Sequence, residues 1–451
     1  MIPPSLPLRS WARVALFRPR PSSLLPSSCL RVSAAITSAP LLRNSSSTTP
    51  LTPPLTSTST PTRANAHTHA SREEIEVLHS FDADVQARIH TLAKGVAEGN
   101  RTSLSKAITL VESTRPDHRR MAQVLLALSA REAAASSLSS SSSSPPSPTP
   151  PHQDGQDSTA TSTLPSSLAS LYPHRPLRLG IMGPPGAGKS TFIEALGVRL
   201  ARAGLKVCVL AIDPSSAVTG GSILGDKTRM FHLCQEPNAY VRPSPTRGTL
   251  GGIAERTAEV IELCESAGYD IVLVETVGVG QSEIAVYDVV DVCALLVPPG
   301  GGDELQGIKK GIMEAADLII VNKADGDLLP SARRSRTEYS RALRLLRHRS
   351  DYWTPRAMSC SAHENTAIDD VWKAVLSFQN TRIKHSEFDE WRTEQRERLM
   401  WKQVKEMLVD RLMRDSEVKE RAQSLLKQVK DGPLAPGLAA EQLVNTFLKQ
   451  N

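Results

Sequence analysis

With 451 residues, 40% of them apolar, the chain is long enough for two or three domains and can bury a sizeable core. Its formal charge of +6 suggests a polyanionic partner, yet eight arginines and no acid precede Glu73, so the remainder is close to neutral. Bulk charge therefore implies no nucleic-acid partner, and no apolar run is long enough to imply a membrane span.

Taken in chain order, residues 1–72 are rich in Arg, Ser and Thr and free of acids, the composition of an organellar transit peptide. A disordered tail would share the Pro and Ser content; import is the preferred reading. From 73 to 134, Leu78, Val85, Ile89 and Leu92, then Leu104, Ile108, Leu110 and Val111, then Met121, Val124, Leu125 and Leu128 recur near helical spacing. They predict three short helices in a small module. Residues 135–175 collapse into Ser, Pro and Thr, a linker with too little apolar surface to offset its ordering entropy.

From 176 to 380, apolar runs at 177–182, 207–213, 269–276, 292–297 and 318–322 alternate with helical patterns. Near-continuous apolar runs suit strands buried on both faces, and the alternation predicts a doubly wound, mostly parallel α/β domain. Seven arginines between Arg333 and Arg349 crowd one predicted helix, read as a solvated face with an acidic partner as the functional option. From 381 to 451 the chain is helical and charged, with Phe388, Trp391, Leu399, Val404, Leu408 and Leu412 as its apolar stripe. The six cysteines form no C-x-x-C pair and no zinc-spaced cluster with histidine, and read as small buried hydrophobes.

Three strings carry chemistry. Gly183-Pro184-Pro185-Gly186-Ala187-Gly188-Lys189-Ser190 is a complete phosphate-binding loop between a predicted strand and a helix starting near Thr191. Its glycines let the backbone wrap phosphate, the amides of Gly186 to Thr191 form the cradle, Lys189 reaches the β- and γ-phosphates, and Ser190 ligates Mg²⁺. Asn322-Lys323-Ala324-Asp325 selects the base. A carboxylate at Asp325 accepts from N1–H and the 2-amino group of guanine, which adenine lacks, at a cost of about 1–3 kcal/mol for the wrong base. Asn322 and Lys323 would brace the base and the phosphate loop, and Ser361-Ala362 is the usual companion at the guanine oxygen. Between them lie strand-end acids: Asp213 for a metal-bound water, and Glu275 to orient the metal, with the Gly278 amide at the γ-phosphate. Gln281 is the candidate for positioning the attacking water. Two glycine-rich loops, 220–227 and 300–307, are switch candidates.

Beyond these, Ile212-Asp213-Pro214-Ser215-Ser216, residues 221–230, Arg242-Pro243-Ser244, residues 275–283 and residues 303–311 together resemble the MeaB/ArgK GTPases, a likeness running from about Val77 to Phe447. The resemblance implies a P-loop GTPase fold with an N-terminal helical module and a C-terminal helical dimerisation arm from about Phe388. It implies a homodimeric, GTP-hydrolysing chaperone that gates adenosylcobalamin delivery to an acyl-CoA mutase, chiefly methylmalonyl-CoA mutase, protects that mutase, and works in the mitochondrial matrix. By motif match, Asp213, Asp226 and Glu275 join Ser190 at the Mg²⁺ site, and 300–311 is a third switch facing the mutase. Two departures stand out: Gly301 replaces the family's alanine in that switch, and the Ser/Pro insertion separates the helical module from the phosphate loop. No Asp-x-His-x-x-Gly cobalamin motif occurs, so the mutase or a cobalamin adenosyltransferase is expected to hold that cofactor. The alternatives are a metallochaperone GTPase such as a nickel-insertion factor, which would need a Cys/His cluster, and a P-loop kinase or ATPase, against which Asp325 argues.

Overall fold

Five apolar runs of four to seven residues, with two less regular edge segments, become the strands of one sheet in this computed structural model, which describes residues 72–140, 172, 175–213, 230–245, 250–276, 286–300, 310–346 and 350–448. Helices α1 (Arg72–His79), α2 (Ala83–Ala97), α3 (Arg101–Val111) and α4 (Pro116–Ser140) come first. Four form where three were expected, because the run from Leu78 to Leu92 is interrupted at Ser80, whose hydroxyl donates to the Val77 carbonyl at 2.6 Å. Asn100 starts α3 by accepting from the Ser103 amide at 3.0 Å.

Then follow β1 (Leu177–Met182), α5 (Lys189–Arg202), β2 (Val207–Asp213), α6 (Phe231–Gln235), β3 (Ala239–Pro245), α7 (Leu250–Ser266), β4 (Ile271–Glu275), β5 (Val292–Val297), α8 (Lys310–Ala315), β6 (Leu318–Val321), α9 (Leu329–Leu343), β7 (Arg356–Ser359) and α10 (Ile368–Lys384). The chain ends in α11 (Glu387–Arg414), α12 (Ser416–Lys430) and α13 (Pro436–Leu448). The strand order is β3-β2-β4-β1-β5-β6-β7, and every pairing is parallel.

Alternate residues of each strand feed two cores. Leu179, Ile181, Val209, Leu273, Ala294 and Ile320 pack with Phe192 of α5 and Trp372 and Phe378 of α10. Met182, Leu210, Val274, Leu295 and Ile319 pack with Val260 and Ile261 of α7 and Tyr339 of α9. Helices on both faces make this the doubly wound α/β class. The two outermost strands escaped the sequence reading. β3 carries Pro243 and Pro245 and β7 is only four residues long, features that an edge tolerates and a central strand does not.

The insertion after residue 140 does not detach the helical module. Ile89, Leu104, Ile108 and Leu125 join the α7 side of the core. Glu112 at the end of α3 takes the Arg242 guanidinium at 2.6 Å and the Ser244 hydroxyl at 2.9 Å, both from β3. Arg119 pairs with Glu255 at 2.5 Å and Gln123 donates to Glu259 at 2.6 Å, tying α4 to α7.

The expected apolar stripe of the arm divides in two. Phe388 and Trp391 are buried against the sheet domain, and Leu399 packs on its core. Further along α11, Trp401 is 54% exposed, Met407 50% and Leu408 52%. The root of the helix is pinned by charge: Arg392 grips the fully buried Asp291 with two hydrogen bonds of 2.8 and 2.6 Å. Asp291 also accepts from the Arg178 amide at 2.9 Å, and Arg178 pairs with Glu265. The flanking acids raise the Arg392 guanidinium above its ordinary value although burial alone would lower it. Among the described residues no helix is long and apolar enough to cross a membrane.

Candidate functional site

In a doubly wound sheet the crevice opens at the carboxyl ends of the strands, beside the strand where the winding reverses. Here that strand is β1, flanked by β4 and β5, and the loop 183–188 leaves its end. Two glycines are there by necessity. A Cβ on Gly183 would lie 2.0 Å from the Leu296 carbonyl oxygen of β5, and one on Gly188 would lie 2.5 Å from Asn322 Nδ2; both have positive φ. The loop closes on itself through the Ala187 amide, which donates to the Pro184 carbonyl at 3.3 Å. Lys189 is buried, its ammonium donating to the carbonyls of Gly183 at 2.8 Å and Pro184 at 3.0 Å. Ser190 and Thr191 follow in the first turn of α5, where backbone amides have no acceptor inside a helix and the axis presents its positive end.

The Ser190 hydroxyl donates to Glu275 Oε1 at 2.7 Å. Those residues are 85 positions apart and meet because β4 lies beside β1, with Ile181 in register with Glu275. Two hard oxygens at this separation, next to a helix N-terminus that attracts anions, fit a small divalent cation shared with a polyphosphate. Asp213 ends β2, on the far side of β4, two residues past the partner of Glu275; its side chain, and Asp226, Gly278 and Gln281, lie outside the described residues, as does most of the two switch loops. Among the described residues no three His, Cys, Asp or Glu side chains gather into a metal-binding group.

On the other flank, Asn322 leaves β6 almost fully buried. Its Nδ2 donates to the Ala187 carbonyl at 3.0 Å and the Gly188 carbonyl at 3.4 Å, while its Oδ1 accepts from the Ala362 amide at 3.0 Å. One side chain thus joins the loop after β1 to the loop after β7. Lys323 takes φ of 58° and passes near Gly188, within 3.9 Å of where its Cβ would be. Asp325 accepts a hydrogen bond from the Ser361 hydroxyl, which also accepts from the Glu364 amide at 3.0 Å. Burial pushes the neighbouring Cys360 thiol up to about 12, so it stays neutral. The Asp325 carboxylate and the Ala362 backbone therefore sit at the end of a rigid bridge that begins at the phosphate loop.

One contact had no forewarning in the sequence. Ser335, on the buried stripe of the arginine-rich helix α9, accepts from the Gly300 amide at 3.3 Å and donates to the Gly300 carbonyl at 2.9 Å. It holds the root of the glycine-rich loop after β5. A serine at a buried helical position was the available signal.

A glycine-rich loop on the central strand, an acid under its serine and the Asn322–Asp325 loop two strands away fit a P-loop GTPase, which hydrolyses GTP to GDP and phosphate. Residues 153–417 match the protein-family profile described as methylmalonyl Co-A mutase-associated GTPase MeaB, and the chain belongs to that family. It is 43% identical over 366 residues to the mouse (Mus musculus) methylmalonic aciduria type A homolog, mitochondrial, covering 80% of each chain. It is 41% identical over 356 residues to the GTPase ArgK of Escherichia coli, covering 78% of this chain and 96% of that one. Among solved structures, a LAO/AO transport system kinase is similar with a TM-score of 0.57 and 33% identity, over 82% of this chain and 99% of the other.

Proposed function

We propose that this GTPase serves methylmalonyl-CoA mutase or a close cobalamin-dependent relative in the mitochondrial matrix, using GTP to gate adenosylcobalamin delivery and to protect the mutase. Lys189 and the amides from Gly186 to Thr191 take the phosphates, with Gly183 shaping the loop and the Gly278 amide at the γ-phosphate. Asn322, Lys323, Asp325, Ser361 and Ala362 take the guanine. Ser190, Glu275, Asp213 and Asp226 hold Mg²⁺, which when bound offsets charge on the phosphate oxygens. Gln281 positions the attacking water. The observation that carries this reading is Asn322, whose amide links the phosphate end to the guanine end, so that one nucleotide spans parts already fixed to each other. The MeaB family and its mitochondrial relatives support the client and the compartment. The exposed Trp401, Met407 and Leu408 of α11 support a homodimer through the arm. The adenosylated cofactor would come from a cobalamin adenosyltransferase, since the chain has no cobalamin motif.

The test is GTP turnover by the purified chain as methylmalonyl-CoA mutase is added. The rate should rise and saturate; a flat titration would remove this client. ATP turnover equal to GTP turnover would remove the base assignment separately.

A further inference from the structure

Among the described residues, the arginines on α9 and just past its end contact neither the loop after β1 nor the loop after β6. Arg333, Arg334, Arg336, Arg341 and Arg344 are exposed, and none forms an ion pair among the described residues. The helix borders a groove of about 630 Å³ between α9, β7 and α10, where Arg344, Arg356 and Lys373 stand around Ala357 and Met358. Arg356 lies over the Trp353 ring at 4.6 Å, and Lys373 shares its charge with Asp370 at 3.0 Å, so the groove keeps a net positive charge.

The floor of the groove is an unpaired strand edge. Among the described residues β7 ends the sheet and pairs with β6 alone. The Cys360 amide donates to the Val321 carbonyl of β6 at 2.9 Å, and backbone groups alternate in direction along a strand, so those of Ala357 and Ser359 turn away from β6. Ser361 obeys the same alternation, pairing outward with Thr366 in both directions at 3.1 and 3.0 Å. Among the described residues nothing pairs with the outward groups of Ala357 and Ser359.

We propose that this edge docks an extended, acidic segment of a partner protein, which adds a strand beside β7 and sets its carboxylates against Arg344 and Arg356. A free row of peptide donors and acceptors matches another backbone, and flanking pockets and charges read alternate side chains. A nucleic acid is the weaker fit. Trp353 is buried under Arg356, and Tyr352, 55% exposed, already has one face stacked on His385 at 3.8 Å, so the groove lacks the series of open aromatic faces on which successive bases stack.

The experiment is fluorescence anisotropy of the full chain with a labelled peptide of alternating glutamate and threonine, about twelve residues long. A lysine–threonine peptide and a uridine oligonucleotide serve as comparisons. Saturable binding of the acidic peptide alone is expected. Ala357→Pro deletes only an outward amide, which an edge strand tolerates, and should weaken binding about tenfold or more. Charge reversal with R344E and R356E, on exposed side chains, should do the same and decides the matter if the proline variant fails to fold. GTP turnover of the variants should match that of the parent. No saturable binding of the acidic peptide, binding indifferent to both kinds of variant, or tighter binding of the oligonucleotide would each overturn the proposal.

Discussion

Asn322 is the side chain on which the two halves of the site depend. Truncation to alanine strands the Ala362 amide and withdraws the donor from two carbonyls of the phosphate loop, at a site only 1% exposed. A buried group left unpaired costs about 1–3 kcal/mol, so Asn322→Ala should weaken GTP binding on the order of 10- to 100-fold in a fluorescent-nucleotide titration. Affinity within a factor of about two of the parent would remove the bridging role. Glu259 tests the packing of α7 instead. Burial, and then Glu255, push its carboxyl from 4.5 up to about 7. Glu262 also raises it, while Gln123 and Arg119 pull the other way. The native state thus keeps a proton that the unfolded chain has released, so this contribution to stability is complete below about pH 4.5 and is lost as pH rises through about 7. Glu259→Gln should raise the Tm relative to the parent more at about pH 8 than at about pH 5. An equal difference at both would contradict the shift.

At the scale of elements, legibility followed burial. β1, β2, β4, β5 and β6 are continuous apolar runs because both faces are covered, and they could be read without help. β3 and β7 lie at the edges, where one side needs no pairing, so Pro243, Pro245 and Arg356 erase the pattern. The site divides in the same way. The strings around Lys189 and Asp325 are local and announce themselves. The Ser190–Glu275 contact and the Asn322 bridge are set by strand order, which no window of sequence contains. The arm illustrates the third case. Its stripe was visible from Phe388 to Leu412, but not that the first part covers the sheet domain while the rest stays open. That open part carries its own expectation. Trp401→Glu combined with Met407→Glu should convert a dimer to a monomer by light scattering while GTP binding persists; a parent that is already monomeric would refute the arm as the dimer element.

Across the whole molecule, the arm is fixed at one rim of the sheet and the nucleotide loops leave the other. Arg392 anchors α11 at Asp291, one residue ahead of β5, with Trp391 and Gln395 donating to the Val290 carbonyl at 3.1 and 2.7 Å. Removing one partner of such a buried pair costs about 3–5 kcal/mol, because the remaining charge loses its compensation. Arg392→Met should lower the urea midpoint accordingly, and a loss below about 1 kcal/mol would mean that the pair is not what holds the helix.

The same strand that starts at this anchor ends at Val297, just before the loop that Ser335 secures. If the arm self-associates and this loop meets the client, as proposed, the two contacts begin at opposite ends of β5. Two copies married through their arms would leave both berths vacant for visitors, so occupancy of one need not crowd the other.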